Sequence, residues 1–590
     1  MDDQIERVSK CGISPDGVHV ALLCIPRDLR SDEPQVWGHN WNYSRLYLFH
    51  IHTGAVTHLV DGESHVTDFA WDDHGTKIVA ITHRTPHIES VYLHGSKIII
   101  FTLQEQLNSS IKRGSVEMTW SFPGEIICVL WSLNTIHIIA RNQMNFSASG
   151  QCVYLLPIEK GVEVMPKDTD LQLAPIKKST TYGSDCCPVR LLKLKNDVVV
   201  HVQRGLEDQL RSLRDGKIIF THKKRIVAFD VVVPSPRSQD RLEIYKSELV
   251  LATAHGDVNN PTEVFSMSFN ETDDAAIVQA QLSDHGANFK AKFNYLSSHR
   301  AVNCVFLKCP SLDCTESLEG VYYVPGQPWK PASEISSKPA KPFSTIVLLH
   351  GGPYSRITDA FDIWNPFHIL TPALLQQGYG ILWPNYRGSS GRGQKFASYA
   401  AGGMGTFDES DIVAMTQHVV VEGYADEQRL LVAGWSQGGY LTYLSAMRNG
   451  LHGFGWKFKA AIAGAGITDW DSLTLSSDLG YSQAILAGGA PWSSLDKGVT
   501  TSRSGSALWE FLSAVKNPTG NRIPPIMILH GESDERVPIS QAQGMRRALD
   551  GAGLPFEFVP YPGEGNHFTQ RRHIVDMMAR ILGFLEYHLR

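Results

Sequence analysis

Six short, continuous apolar runs recur through the second half of the chain, and their spacing limits the fold more than any other feature. They are Thr345-Ile346-Val347-Leu348-Leu349, Gly380-Ile381-Leu382-Trp383, Leu430-Leu431-Val432-Ala433, Ala460-Ala461-Ile462-Ala463, Ile526-Met527-Ile528-Leu529 and Phe556-Glu557-Phe558-Val559, with helix-length segments between them. Strands that are apolar on both faces must be covered on both faces, which is the condition of a mostly parallel sheet with helices on either side. The closing segment, Ile574 to Leu589, has helical apolar spacing and is expected to dock on that sheet.

The first half follows another pattern. Runs such as Val18-His19-Val20-Ala21-Leu22-Leu23, Lys77-Ile78-Val79-Ala80-Ile81, Lys97-Ile98-Ile99-Ile100 and Asp197-Val198-Val199-Val200 are punctuated by turn residues and indicate an all-β region. Ile13-Ser14-Pro15-Asp16-Gly17-Val18 and Phe69-Ala70-Trp71-Asp72-Asp73-His74-Gly75-Thr76-Lys77-Ile78 share a scheme of hydrophobic residue, acidic turn with Gly, then strand, and residues 120–127 read as a degraded third copy. A repeated tight turn followed by a strand points to β-propeller blades, with a β-sandwich of ordinary hairpins as the alternative. Between about residues 310 and 342, Pro325, Pro328, Pro331, Pro339 and Pro342 stand among Ser and Lys and mark a connection. The expected division is therefore a β-propeller domain over 1–320 and an α/β domain over 321–590.

Composition narrows the partners. A chain of 590 residues with 43% hydrophobic content is too long for one ordinary domain. Lys and Arg (54) nearly balance Asp and Glu (60), which gives no electrostatic reason to expect nucleic acid or an anionic membrane. No run approaches the roughly 18 apolar residues of a membrane span. The acidic start, Met1-Asp2-Asp3-Gln4-Ile5-Glu6, lacks the basic flank and apolar core of a secretory signal. The nine cysteines, Cys11 to Cys314, form neither a disulfide ladder nor a zinc pattern; Cys186-Cys187 and Cys309 with Cys314 have no histidines to complete a site. They read as reduced thiols, the location as cytoplasmic, and the sequons at Asn42, Asn108, Asn145 and Asn270 as chance. The charge balance leaves a small or peptide-like substrate as the expected partner; no metal or organic cofactor is expected, and self-association is left open.

The chemistry lies at Gly434-Trp435-Ser436-Gln437-Gly438-Gly439, between the strand Leu430 to Ala433 and a helical segment, Tyr440 to Met447. This is the nucleophile elbow of an α/β-hydrolase, where glycines permit the sharp turn that lifts a serine hydroxyl clear of the backbone. A serine hydroxyl needs a histidine to take its proton and a carboxylate to orient that histidine, in the chain order Ser, acid, His. Two loops at the carboxyl ends of sheet strands supply candidates: His530-Gly531-Glu532-Ser533-Asp534-Glu535-Arg536-Val537-Pro538 and Tyr561-Pro562-Gly563-Glu564-Gly565-Asn566-His567-Phe568. Asp534 is assigned as the acid, with Glu532 and Glu535 as alternatives, and His567 as the base. For the oxyanion, the amide of Gln437 and a second from Gly352, in His350-Gly351-Gly352-Pro353-Tyr354, are the expected donors.

These motifs, with Asn385-Tyr386-Arg387-Gly388-Ser389-Ser390-Gly391, resemble the prolyl oligopeptidase family of serine peptidases, closest to its acylaminoacyl-peptidase and dipeptidyl-peptidase-like members. The resemblance implies a seven-bladed propeller that excludes large substrates and an acyl-enzyme mechanism on small peptides or acyl-amino-acid-like amides and esters. Trp435, Tyr354 and Trp470 are the candidate substrate-binding residues. Trp470, Leu473, Leu475, Tyr481 and Leu486 read equally well as an apolar pocket or as core. The glutamate pair by which dipeptidyl-peptidase members hold a substrate amine has no counterpart. Alignment on Gly565 and Phe568 puts Asn566 where the family has its histidine, with His567 one residue late. An amide has no useful basicity. The readings that remain are a re-registered triad, an esterase, lactonase or acyl-transfer enzyme with the same serine, and a propeller binding protein whose catalysis has lapsed.

Overall fold

A computed structural model of the chain describes residues 5–26, 37, 41–60, 64–106, 109–142, 146–158, 177–178, 182, 185–194, 197–232, 249–258, 260–269, 277–287, 303–325, 339–362, 366–492, 505–516 and 523–589. Pro328, Pro331 and the sequons Asn108, Asn145 and Asn270 lie outside the described residues. The chain forms two compact units, Met1–Val202 with Leu210–Ile218, and Gln203–Gln209 with Ile219–Arg590.

The N-terminal region contains five four-stranded antiparallel sheets among the described residues, spanning residues 5–58, 65–122, 126–178, 187–222 and 226–281. Each runs in sequence order, as propeller blades do. Five blades are present among the described residues, in place of the expected seven. The first two each take up more than fifty residues, 5–58 and 65–122, so the chain as far as residue 281 holds fewer sheets than expected.

The acidic turns recur as expected in the first two blades. Gly17 and Gly75 adopt φ of +73° and +70°, and Asp72 Oδ1 accepts the amides of Thr76 (2.9 Å) and Lys77 (3.0 Å). The third copy is displaced. Residues 123–125 join the last strand of one blade, Ser109–Phe122, to the first of the next, Ile126–Ser132, instead of closing a hairpin. Between blades of the first unit, apolar faces meet in continuous cores; Leu46, Leu48, Phe69 and Ile78 form one, and Ile98, Trp120, Trp131 and Ile138 another.

The second unit takes in the blade 226–281 and one eight-stranded sheet. Its strands are β1 (Asn303–Pro310), β2 (Ser317–Val324), β3 (Phe343–Leu349), β4 (Gly380–Asn385), β5 (Ala425–Trp435), β6 (Phe458–Gly464), β7 (Ile526–Gly531) and β8 (Phe556–Tyr561). Their order is β1-β2-β4-β3-β5-β6-β7-β8. All six apolar runs are strands, and β3 to β8 are mutually parallel. The C-terminal helix Arg571–Leu589 buries Met577, Ile581, Phe584 and Leu585 in the core containing Leu348, Leu431 and Leu529.

The antiparallel pair β1 and β2 belongs to this sheet as well, through β2 paired with β4, so the sheet begins at Asn303 and β2 takes up residues 317–324 of the expected connection. The outer half of β1 alternates buried and exposed residues, and for that reason it resembles the strands that precede it in sequence.

Candidate active site

The turn from β5 into the helix Gln437–Met447 places Ser436 at φ +58° and ψ −117°. A non-glycine residue there costs on the order of 1–3 kcal/mol and persists only where its surroundings enforce it. They do so through backbone packing. A Cβ on Gly438 would lie 1.9 Å from Leu349 O, one on Gly434 2.3 Å from Gly438 O, and one on Gly439 2.5 Å from Gly464 O. The Ser436 amide donates to Gly464 O at 2.9 Å, which ties the turn to β6. Trp435 is buried beneath it, and Ser436 itself is half-exposed.

The loop after β3 comes up beside the serine. A Cβ on Gly351 would be 3.6 Å from Ser436 Cβ, and Gly352 is exposed at φ +132°. The His350 ring stacks on Tyr386 at 4.3 Å and 8°, its Nε2 lies 3.0 Å from Ser389 Oγ, and the Tyr386 hydroxyl donates to His350 O at 2.5 Å. Burial lowers the His350 pKa to about 4, so it is neutral at pH 7 and serves as a support. Arg387 is fixed in turn by two bonds from its Nε and Nη2 to Asp411 Oδ1, and by Nη1 to Asp313 at 2.7 Å. Gln437 opens its helix, where backbone N–H groups lack intrahelical partners and the helix dipole favours negative charge. Of the two expected donors, Gln437 follows Ser436 directly in the chain, and Gly352 follows Gly351, the residue that lies beside the serine.

The acid and its loop are equally well fixed, but with a different partner. Asp534 is buried, whereas Glu532 and Glu535 are exposed. Its Oδ1 accepts the amides of Arg536 (3.0 Å) and Val537 (2.9 Å). Its Oδ2 accepts from the side-chain amide of Asn566 at 2.8 Å. Burial pushes the Asp534 carboxyl up to about 6. His530 Nε2 is 3.7 Å from Asp534 Oδ2 but donates to Val537 O at 2.7 Å. His567 is exposed, and the expected Asp534–His567 pair is not formed.

Two groups hold this register. The Trp435 indole donates to Asn566 O at 2.8 Å, and Phe568 packs edge-on against Trp435 at 5.1 Å. Glu564, fully buried, accepts the amides of Thr569 (2.8 Å) and Gln570 (3.0 Å) and pairs with His573 at 2.7 Å. Sequence reasoning missed Glu564 as an anchor; a lone Glu between two glycines gives no signal of burial.

The substrate-binding candidates divide. Trp435 and Trp470 are 3% and 1% exposed. Trp435 packs on Phe367 and Phe568, and Trp470 meets Tyr440 edge-on at 5.1 Å. Both side chains sit in the core, and Leu473 and Leu486 are buried with them. Leu475 and Tyr481 are exposed, and Tyr354 is half-buried beside Gly352. Among the described residues no group of three or more His, Cys, Asp or Glu could hold a metal ion, and no helix is long and apolar enough to cross a membrane.

Comparison with known proteins agrees with the motifs. Residues 366–590 match the Prolyl oligopeptidase family. The uncharacterized peptidase YuxL of Bacillus subtilis is 30% identical over 241 residues, covering 40% of this chain and 33% of that protein. The acylamino-acid-releasing enzyme of Rattus norvegicus is 26% identical over 251 residues, covering 41% and 31%. The matches thus span about a third of the relatives' length. Among solved structures, the acylaminoacyl peptidase of Pyrococcus horikoshii aligns with a TM-score of 0.60 at 18% identity, over 99% of this chain and 89% of that one. At that identity the likeness concerns the fold.

Proposed function

We propose that this chain, whose residues 366–590 belong to the Prolyl oligopeptidase family, is a serine hydrolase acting on small peptides or acyl-amino-acid-like amides and esters. The observation that carries the reading is the enforced backbone of Ser436 at the strand–helix turn, beside Gly351 and Gly352. Ser436 Oγ attacks the substrate carbonyl carbon while His567 takes its proton. The oxyanion that forms rests on the Gly352 and Gln437 amides. The tetrahedral adduct collapses, the C–N or C–O bond breaks, and His567 returns the proton to the leaving group. Water then enters by the same route in reverse and releases the acid. The acyl-amino-acid preference follows the name of the rat relative. Labelling by a fluorophosphonate that disappears in Ser436→Ala is expected; an unlabelled, well-folded wild type refutes the reading. Acyl-peptide anilides set against short-chain esters separate a peptidase from an esterase, lactonase or acyl-transfer enzyme.

The bond from Asn566 to Asp534 favours a second reading, in which catalysis has lapsed and the protein binds its ligand without turnover. Loss of activity in His567→Ala speaks for the first reading. Turnover that arises only in Asn566→His, His567→Gly speaks for the second.

A further inference from the structure

The oxyanion loop is gripped from a distant part of the chain. Residues 203–209 comprise the turn Gly205-Leu206 and the adjoining ends of the strands Val198–Arg204 and Glu207–Ser212, and they belong to the same compact unit as the eight-stranded sheet. Arg356, four residues beyond Gly352, pairs with Asp208, and the two side chains are 3% and 0% exposed. The guanidinium also donates through Nη1 to the carbonyls of Gly205 and Glu207. Two residues on, Thr358 Oγ1 lies 2.7 Å from Leu206 O. The same turn reaches the segment that supports His350. The Gly205 amide donates to Gly391 O at 2.8 Å, and Ser390 Oγ donates to Gln203 Oε1 at 3.2 Å. Between these grips, Asn385 closes both backbone groups of Ile357, accepting its amide at 2.7 Å and donating to its carbonyl at 2.8 Å.

A buried ion pair is a poor source of stability, because desolvation of two charges offsets most of their attraction; its use is to fix geometry. Here the fixed object is a backbone that must present an N–H to a developing oxyanion, where an error of about 1 Å costs roughly a hundredfold in rate. We infer that Asp208 and Arg356 are positioning residues that set the oxyanion loop beside Ser436. The inference rests on the hydrolase reading for its kinetic consequence, but its structural consequence stands alone.

The test uses the full chain as wild type, Asp208→Asn, Arg356→Gln and the conservative Arg356→Lys. With a short-chain ester, kcat is expected to fall roughly 10- to 100-fold in Asp208→Asn and Arg356→Gln, with KM within about twofold and partial recovery in Arg356→Lys. Amide exchange is followed in parallel by mass spectrometry. It is expected to quicken at least about tenfold over residues 350–358 and to remain unchanged elsewhere. Unchanged kcat in a folded variant, or exchange that quickens across the whole unit, overturns the inference. Should wild type prove inert to fluorophosphonate, the hydrolase reading fails and exchange alone decides: local quickening supports positioning, unchanged exchange refutes it. If Asp208→Asn does not fold, Arg356→Lys carries both readouts.

Discussion

The nucleophile side of the site and its acid–base side are held with equal firmness and to different ends. Around Ser436, backbone contacts at Gly434, Gly438 and Gly439 leave no room for another residue, and the group they present is the hydroxyl that the proposed mechanism uses. Around Asp534, the Trp435 indole and buried Glu564 fix the 561–568 loop just as firmly, and the group they present to the carboxylate is an amide. Preorganisation is indifferent to what it organises. A loop can keep every structural bond while its one histidine stands one position away from the carboxylate's partner.

The largest expected effect tests that contrast directly. His567→Ala removes the base of the proposed mechanism, and kcat should fall roughly 10²- to 10⁴-fold, the scale on which an oriented histidine acts. An unchanged rate, with turnover arising only in Asn566→His, His567→Gly, would mean that the natural loop supplies no competent base. Gly438→Ala probes the other side. Its Cβ would meet Leu349 O at 1.9 Å, and a stability loss of about 3 kcal/mol or more is expected in chemical denaturation, together with loss of fluorophosphonate labelling.

The next prediction concerns pH. The Asp534 carboxyl titrates at about 6 in the folded chain because it is buried, against about 3.9 unfolded. The folded state therefore keeps a proton that the unfolded state has lost. This group's contribution to stability is complete below about pH 4 and disappears as the pH rises through 6. Asp534→Asn should remove that part of the decline, on the order of 1–3 kcal/mol, read as the difference between wild-type and variant denaturation across this range. The smallest effect belongs to Trp435→Phe, which leaves Asn566 O without its indole donor. A loss of about 1 kcal/mol is expected, with faster amide exchange over 564–568; intact protection there would assign the register to Glu564 alone.

Much of the parallel sheet was legible beforehand. Strands such as Leu430 to Ala433 declare themselves because burial on both faces demands apolar residues at every position, and the elbow because its sterics demand glycine at set offsets. The edge strand Asn303–Pro310 did not, since its second half has the buried and exposed alternation that blade strands also show. Trp470 was ambiguous for a related reason: an apolar aromatic suits a pocket wall and a core alike, and only its contact with Tyr440 separates them.

The chain's own residues thus determined which segments become strands, that Ser436 stands on a strained turn, and that the candidate acid, Asp534, lies in the loop after β7. Each of these depends on local sterics or on the burial of a contiguous run. Tertiary structure alone decided that Asn566 meets Asp534, 32 residues away, and that Arg356 reaches Asp208, 148 residues away. Such pairings depend on the paths of two loops at once, and a path is fixed by every contact along it.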